Sequence, residues 1–254
     1  MYKKYVTFSY DDGLQQDKQL TALMRDFGLK GTFNLNSGLF GKEQYIGYLG
    51  SLGFTETPPE KAAGGPLNYV PHFRIPEDEI AQVYEGFEVA SHGYRHEMLA
   101  LSNRKTMEES IDLDLANLER VVGYKMKGFA YAKGFGSKAA REYLNGNGIV
   151  YARGIKSTGT FTFQEENLLN FQPTASQIDK NLFEVIDTFL ATDPVDDDML
   201  LYIWGHGYEC DYHTDRGSWA RTIKMFERLA GRDDLTYCTN IEAFEDHFAR
   251  KNKT

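Results

Sequence analysis

Strand-like and helix-like patterns alternate along this chain from one end to the other, and that alternation limits its fold more than any other feature. YVTFSY (5–10) is β-rich, and residues 15–28 follow with Leu20, Leu23, Met24 and Phe27 at helical spacing, stopped by Gly28. GTFNLN (31–36), FEVASH (87–92), MKGFAYA (126–132), GIVYAR (148–153), MLLYIWGH (199–206) and LTYC (235–238) read as the further strands. Helices are expected after Pro76, over 106–123 (Met107, Ile111, Leu115, Leu118 and Val122 on one stripe) and over 137–144. Three more are expected over 176–191, with Ser176 as its cap, over 219–231 and over 241–251. Seven βα units in series imply a parallel sheet, and a right-handed series of that length can close on itself. The expected class is α/β: a distorted (β/α) barrel of about seven units, forming one domain over 1–254. Residues 41–75, rich in Gly and Pro, interrupt the second unit and read as an irregular loop insertion that forms part of a substrate wall.

Charge and composition narrow the partners. A net charge of −9 leaves no basic face for nucleic acid. No basic amphipathic run and no long apolar span points to a membrane. No apolar signal core precedes the first strand, so a cytoplasmic location is expected. Cys210 and Cys238 are too few for a thiolate metal cluster and read as buried thiols, with one bridge as the alternative. Oligomeric state leaves no mark in the sequence.

The unusual polar residues fall at one end of the expected sheet. Asp11 and Asp12 follow the first strand, His92 and His96 the third, AYAKG (130–134) the fourth and His206 the sixth. That is the face on which α/β barrels build active sites. In HGYRH (92–96) the i, i+4 spacing would turn two imidazoles the same way on a helical turn. With Asp12 they would make a two-His, one-carboxylate set for a divalent ion with open positions. Asp11, kept off the ion, could then take a proton from a metal-activated water, and His206 could protonate the leaving atom. The structural alternatives are an Asp-Gly turn, a pair of helix-surface histidines and a satisfied histidine at a strand end. His72 sits in the long loop within reach of substrate, and His247 lies on the last helix, remote from this face. His213 and Asp215 form an HxD pair of the kind used by iron oxygenases, a reading that the βα alternation contradicts.

SYDDG (9–13), HGYRH (92–96), FAYAKG (129–134) and IWGHG (203–207), in this order, resemble the polysaccharide deacetylase (NodB-like) carbohydrate esterases over about residues 5–207. The resemblance implies a NodB-like distorted barrel and a divalent metal, zinc first, with cobalt, manganese and nickel as the other candidates. It also implies hydrolysis of acetyl groups from an N- or O-acetylated sugar. Carried across, Asp11 matches the general base, Asp12, His92 and His96 the metal ligands, and His206 the general acid. The backbone around Tyr131 matches the source of an oxyanion N–H. The chain also departs from the pattern. Ala130 stands where the family has a base-orienting arginine, which leaves Lys133 or Arg153 to supply that charge. No Asp-Trp motif follows the fifth strand, where ARGIKSTG (152–159) stands, so Glu209 or Asp211 is left to partner His206. Leu14 replaces a common proline. Two other readings stay open. A hydrolase of another non-peptide C–N bond, in a small cyclic amide or imide, is favoured by the lack of a secretion signal. A catalytically weakened carbohydrate-binding module is favoured by the lost arginine.

Overall fold

The structure is a computed structural model that describes residues 2–48, 54–55 and 68–252. Its centre is β1, Lys4–Asp11, buried along its whole length because it has sheet neighbours on both sides. On one side lie β2 (Gly31–Leu35), β6 (Glu88–Ser91), β7 (Gly128–Ala130) and β8 (Tyr151–Arg153); on the other lie β10 (Met199–His206) and β9 (Ala175–Ser176). All these pairs are parallel. The sheet curls, and residues 171–177 tie its two edges: Phe171 N donates to Ala152 O (3.0 Å), while Gln177 N donates to Trp204 O (2.8 Å). The expected distorted barrel is what forms. One strand is placed differently: β11 (Thr236–Tyr237) pairs with β1 only at Tyr5 and Val6, below the ring of strands rather than within it.

Helices α1 (Asp17–Asp26), α2 (Glu77–Val83), α3 (Arg104–Val122), α4 (Lys138–Gly146), α5 (Leu182–Ala191), α6 (Trp219–Leu229) and α7 (Asn240–Lys251) complete the units. Outward strand residues Phe8, Phe33, Leu201 and Ile203 join Leu20, Met24, Ile111, Leu118 and Phe226 in one apolar core. Capping fixes the helix ends. The Asn103 side chain accepts from Thr106 N, and Gly123 takes the left-handed conformation (φ 80°) that ends α3. Thr239 and Glu242 form a capping box at the start of α7. The barrel interior is polar in its middle. Thr7 Oγ1 donates to Asn240 Oδ1 (2.8 Å), Asn240 Nδ2 to the Tyr202 hydroxyl (2.6 Å), and Thr32 Oγ1 to Glu88 Oε2 (2.6 Å). Burial pushes the Glu88 carboxyl up to about 7. The start of α7 thus closes the end of the barrel remote from the active face.

Three expectations are corrected. Residues 41–75 are not an irregular loop throughout: β3 (Glu43–Tyr48) pairs antiparallel with β4 (Phe54–Thr55) and β5 (Asn68–Phe73), while 49–53 and 56–67 lie outside the described residues. This small sheet is zipped to the turn after β1, with Gln15 N donating to Phe73 O (2.8 Å) and Ile75 N to Gly13 O (2.9 Å). The helix expected from Ser176 starts later, because Ser176 is in β9 and its N–H is held by Asp179 Oδ2 (2.8 Å). The strand expected over 126–132 is only Gly128–Ala130, since Ala132–Gly134 turn into a 3-10 helix. Cys210 and Cys238 are buried free thiols, so no bridge joins them. Among the described residues no helix is long and apolar enough to cross a membrane.

Candidate active site

Strand register builds the site. Asp11 lies beside His206 across the β1–β10 pair and beside Asn34 across β1–β2, while Ala130 lies beside Arg153 across β7–β8. One rim of the barrel therefore carries the base candidate, the acid candidate and an arginine. Asp12 and Gly13 then leave the strand with φ of 86° and 70°. A side chain on Gly13 would lie 2.9 Å from Leu35 Cδ2, so the turn needs glycine there. The Asp-Gly turn is real, and it is what separates the two carboxylates.

The His pair comes together by another route than expected. His92–His96 is a loop, not a helical turn, with left-handed conformations at Gly93 (φ 81°) and His96 (φ 61°). The two rings stand 4.9 Å apart. Such backbone conformations in a histidine and an aspartate cost energy and persist where surrounding bonds impose them. Asp114, on the apolar stripe of α3, accepts from Ser37 N and Oγ (2.7 and 2.6 Å) and from Ser91 Oγ (2.5 Å), and so anchors the root of the loop. Asn36 Nδ2 donates to the carbonyls of His92 (2.8 Å) and Gly93 (2.7 Å). Sequence reasoning passed over both residues; a lone acid inside an apolar helical stripe was the available signal for Asp114.

The donor atoms converge. His92 Nε2 is 3.9 Å from both Asp11 Oδ2 and Asp12 Oδ1, and His96 Nε2 is 3.8 Å from Asp12 Oδ1. One ligand atom each of Asp12, His92 and His96 lies within 4.8 Å of the others. His92 Nδ1 meets Ala130 O at 2.8 Å, and a carbonyl only accepts, so this nitrogen carries the proton. That leaves Nε2 as a bare lone pair, buried and without a hydrogen-bond partner. Burial pulls the His92 imidazolium below its ordinary range and His96 down to about 4, keeping both rings neutral. Neutral imidazoles, an orphaned lone pair and a carboxylate are the donor set that a divalent metal takes, so these residues fit one.

Arg153 answers the missing arginine. It is fully buried, its guanidinium pairs closely with Asp11 Oδ1, and Asn34 Nδ2 donates to the same oxygen (2.8 Å). Lys133 is exposed and takes no part. Burial alone would raise the Asp11 carboxyl, yet Arg153, with His92 and His206, holds it below the usual carboxylate range. On the other side His206 Nδ1 is 3.0 Å from Glu209 Oε1, while Nε2 faces Asp11 Oδ2 at 4.0 Å. Asp211 is drawn away to Gln16 Nε2 and Trp219 Nε1, both at 2.8 Å. Burial lowers His206, but the Glu209 carboxylate, helped by Asp12 and Asp11, outweighs it and raises the imidazolium to about 9. Gln177 Nε2 fixes this partner through Glu209 Oε2 (2.7 Å).

Tyr131 does not fit its expected part. Its N–H donates to Arg153 O (2.9 Å) as part of strand pairing, so that amide is committed. His72 lies on β5, not in a loop, and its Nε2 meets Asp12 Oδ2 at 3.0 Å. His247 is remote as expected, held between Asp198 Oδ2 (3.0 Å) and Glu165 Oε1 (3.1 Å).

A family model described as "Polysaccharide deacetylase" matches residues 1–152, a span that includes both aspartates and the His92–His96 loop and stops before Arg153, His206 and Glu209. Among solved structures, a putative polysaccharide deacetylase from Mycobacterium smegmatis is similar with a TM-score of 0.61, at 16% identity over 98% of this chain and 92% of that one. The Xyl-CE4 domain of a multidomain xylanase from the hindgut metagenome of Trinervitermes trinervoides gives 0.56, at 14% identity over 97% of this chain and 91% of that one. This chain spans 54% of the length of a deacetylase, PplD, from Streptococcus pyogenes, which aligns with 57% of it at 11% identity and a TM-score of 0.43. At such identities the first two structures speak for the fold alone. A comparison with curated proteins gave no match.

Proposed function

This chain belongs to the polysaccharide deacetylase family, and on that premise we propose that it hydrolyses acetyl groups from an N- or O-acetylated sugar. Asp12, His92 and His96 would hold a divalent metal, zinc first among the candidates. The bare, buried Nε2 of His92, equidistant at 3.9 Å from an oxygen of each aspartate, carries the reading. When bound, such an ion supplies Lewis-acid polarisation of the acetyl carbonyl and an acidified water.

The chain's own residues supply the rest. Arg153 and Asn34 occupy Asp11 Oδ1, so Oδ2, which faces into the site, is the oxygen that takes the proton of the attacking water. His206 keeps one proton on Nδ1 against Glu209 and delivers the other from Nε2 to the departing amine or alkoxide. Arg153 also fills the gap that motivated the binding-module reading.

A substrate panel tests this function. Acetylated amino sugars, O-acetylated sugars, and small cyclic amides and imides are each incubated with the protein, and products are quantified. Acetate release from at least one sugar, with no ring opening, is expected. Ring opening without acetate release would replace this function with the cyclic-amide hydrolase, and sugar binding without turnover would replace it with the module.

Glu209→Gln tests the acid. An imidazolium donor loses activity as pH rises through its pKa, and the carboxylate is what lifts that pKa above the ordinary 6.5. The alkaline limb of kcat should therefore move to lower pH by at least one pH unit, about 1.4 kcal/mol of lost differential stabilisation. An unmoved limb would remove Glu209 from this part.

A further inference from the structure

The small antiparallel sheet does more than flank the site. His72 and Arg74 are two apart, so both reach the same side, and both meet Asp12. Arg74 Nη1 donates to Asp12 Oδ1 (3.0 Å), to the Asp12 carbonyl and to Asn36 Oδ1 (2.9 Å); His72 meets Oδ2. Asn36 in turn holds the His92 and Gly93 carbonyls. Gln44 Nε2 lies 3.0 Å from His72 Nδ1, which as acceptor puts the His72 proton on Nε2, toward Asp12. Arg74 and His72 are 4% and 2% exposed, so these bonds are made out of water.

The charge pattern is the informative part. Two buried carboxylates face two buried guanidiniums: Asp11 with Arg153 and Asp12 with Arg74. The centre is neutral before any metal arrives. The Asp12 oxygen that Arg74 holds, Oδ1, is also the one nearest His92 Nε2 and His96 Nε2. A metal held by Oδ1 and the two imidazoles would share that oxygen with the guanidinium, and like charges at such range repel strongly in a low-dielectric site.

We propose that Arg74 is a resident counter-cation of the metal centre. It keeps Asp12 and the His92 loop in their ligating arrangement without metal, and it weakens the metal's hold on Asp12. The inference rests on the reading of Asp12, His92 and His96 as ligands, and it makes Arg74 a positioning residue that sets affinity.

The test uses the full chain stripped by a chelator, with zinc affinity measured by competition against a chromophoric chelator. Arg74→Gln keeps a donor for Asn36 and the Asp12 carbonyl but removes the charge. It should bind zinc at least tenfold tighter than wild type, melt at lower temperature without zinc, and gain more in melting temperature on zinc addition. Arg74→Lys, which keeps the charge, should stay within about threefold of wild type, since the repulsion depends on charge rather than shape. If Arg74→Gln is unfolded without metal, zinc should restore its fold. Zinc affinity in Arg74→Gln equal to or weaker than wild type, or an unfolded variant that zinc does not restore, would overturn the proposal. His92→Ala separates the two levels: it should lose zinc binding, and equal zinc affinity in His92→Ala and wild type would instead overturn the ligand assignment.

Discussion

Replacing Asp11 with Asn is expected to lower kcat by roughly 10³-fold while the protein still binds its metal. The reasoning follows from how the two neighbouring aspartates are divided. Asp12 turns out of β1 toward His92 and His96, whereas Asp11 stays in the strand and faces Arg153 and Asn34. An asparagine keeps the shape of Asp11 but cannot accept a proton at this site. The variant should also lose stability, because the buried Arg153 guanidinium loses its counter-charge and keeps neutral acceptors, the new amide oxygen and the Gly154 carbonyl (2.9 Å). Steady-state acetate release and metal content are therefore measured at a temperature where the variant is folded. Retained turnover would take Asp11 out of the mechanism; lost metal would make it a ligand.

The second large effect is on the other side of that pair. Arg153→Met should cost about 3–5 kcal/mol of folding stability, read from denaturant melts, since it strands the Asp11 carboxylate in a buried site. It should also lower kcat. Burial raises the Asp11 carboxyl and Arg153 is the largest influence opposing that, so without Arg153 the base spends more of its time protonated near neutral pH. The double variant Asp11→Asn, Arg153→Met removes both members, so its stability loss should be smaller than the sum of the two single losses. Additive losses would mean that the two side chains do not act as a pair.

The barrel was legible because its strands and helices carry separate periodicities and its helices have strong ends. Asn103, Gly123, Ser137 and Thr239 mark boundaries by local chemistry that a sequence displays directly. The site's position was legible for the same reason: once strand ends are placed, Asp11, Asp12, His92, His96 and His206 share one rim. What pairing decides was not legible. Arg153 and Lys133 were equal candidates for the missing charge until register put Arg153 beside Ala130 and turned its side chain to Asp11. Glu209 and Asp211 were equal until the 3-10 turn after β10 brought Glu209 back to His206. The i, i+4 spacing of His92 and His96 fits a helical turn and a tight loop alike, and Gly93 with its positive φ is what chose the loop. Arg74 was hidden most deeply. Its part depends on an antiparallel pairing across Gly- and Pro-rich sequence, where no periodic pattern signals a strand.

Acetyl hydrolysis by this chain is expected to depend on a metal held by Asp12, His92 and His96. Acetate release is measured on an acetylated sugar that the wild-type protein turns over, first after chelator treatment and then after return of one equivalent of divalent metal. Activity near zero is expected in the stripped wild type, with recovery on return of the metal and no recovery in His92→Ala. Undiminished acetate release by the stripped protein, or full recovery in His92→Ala, would contradict it.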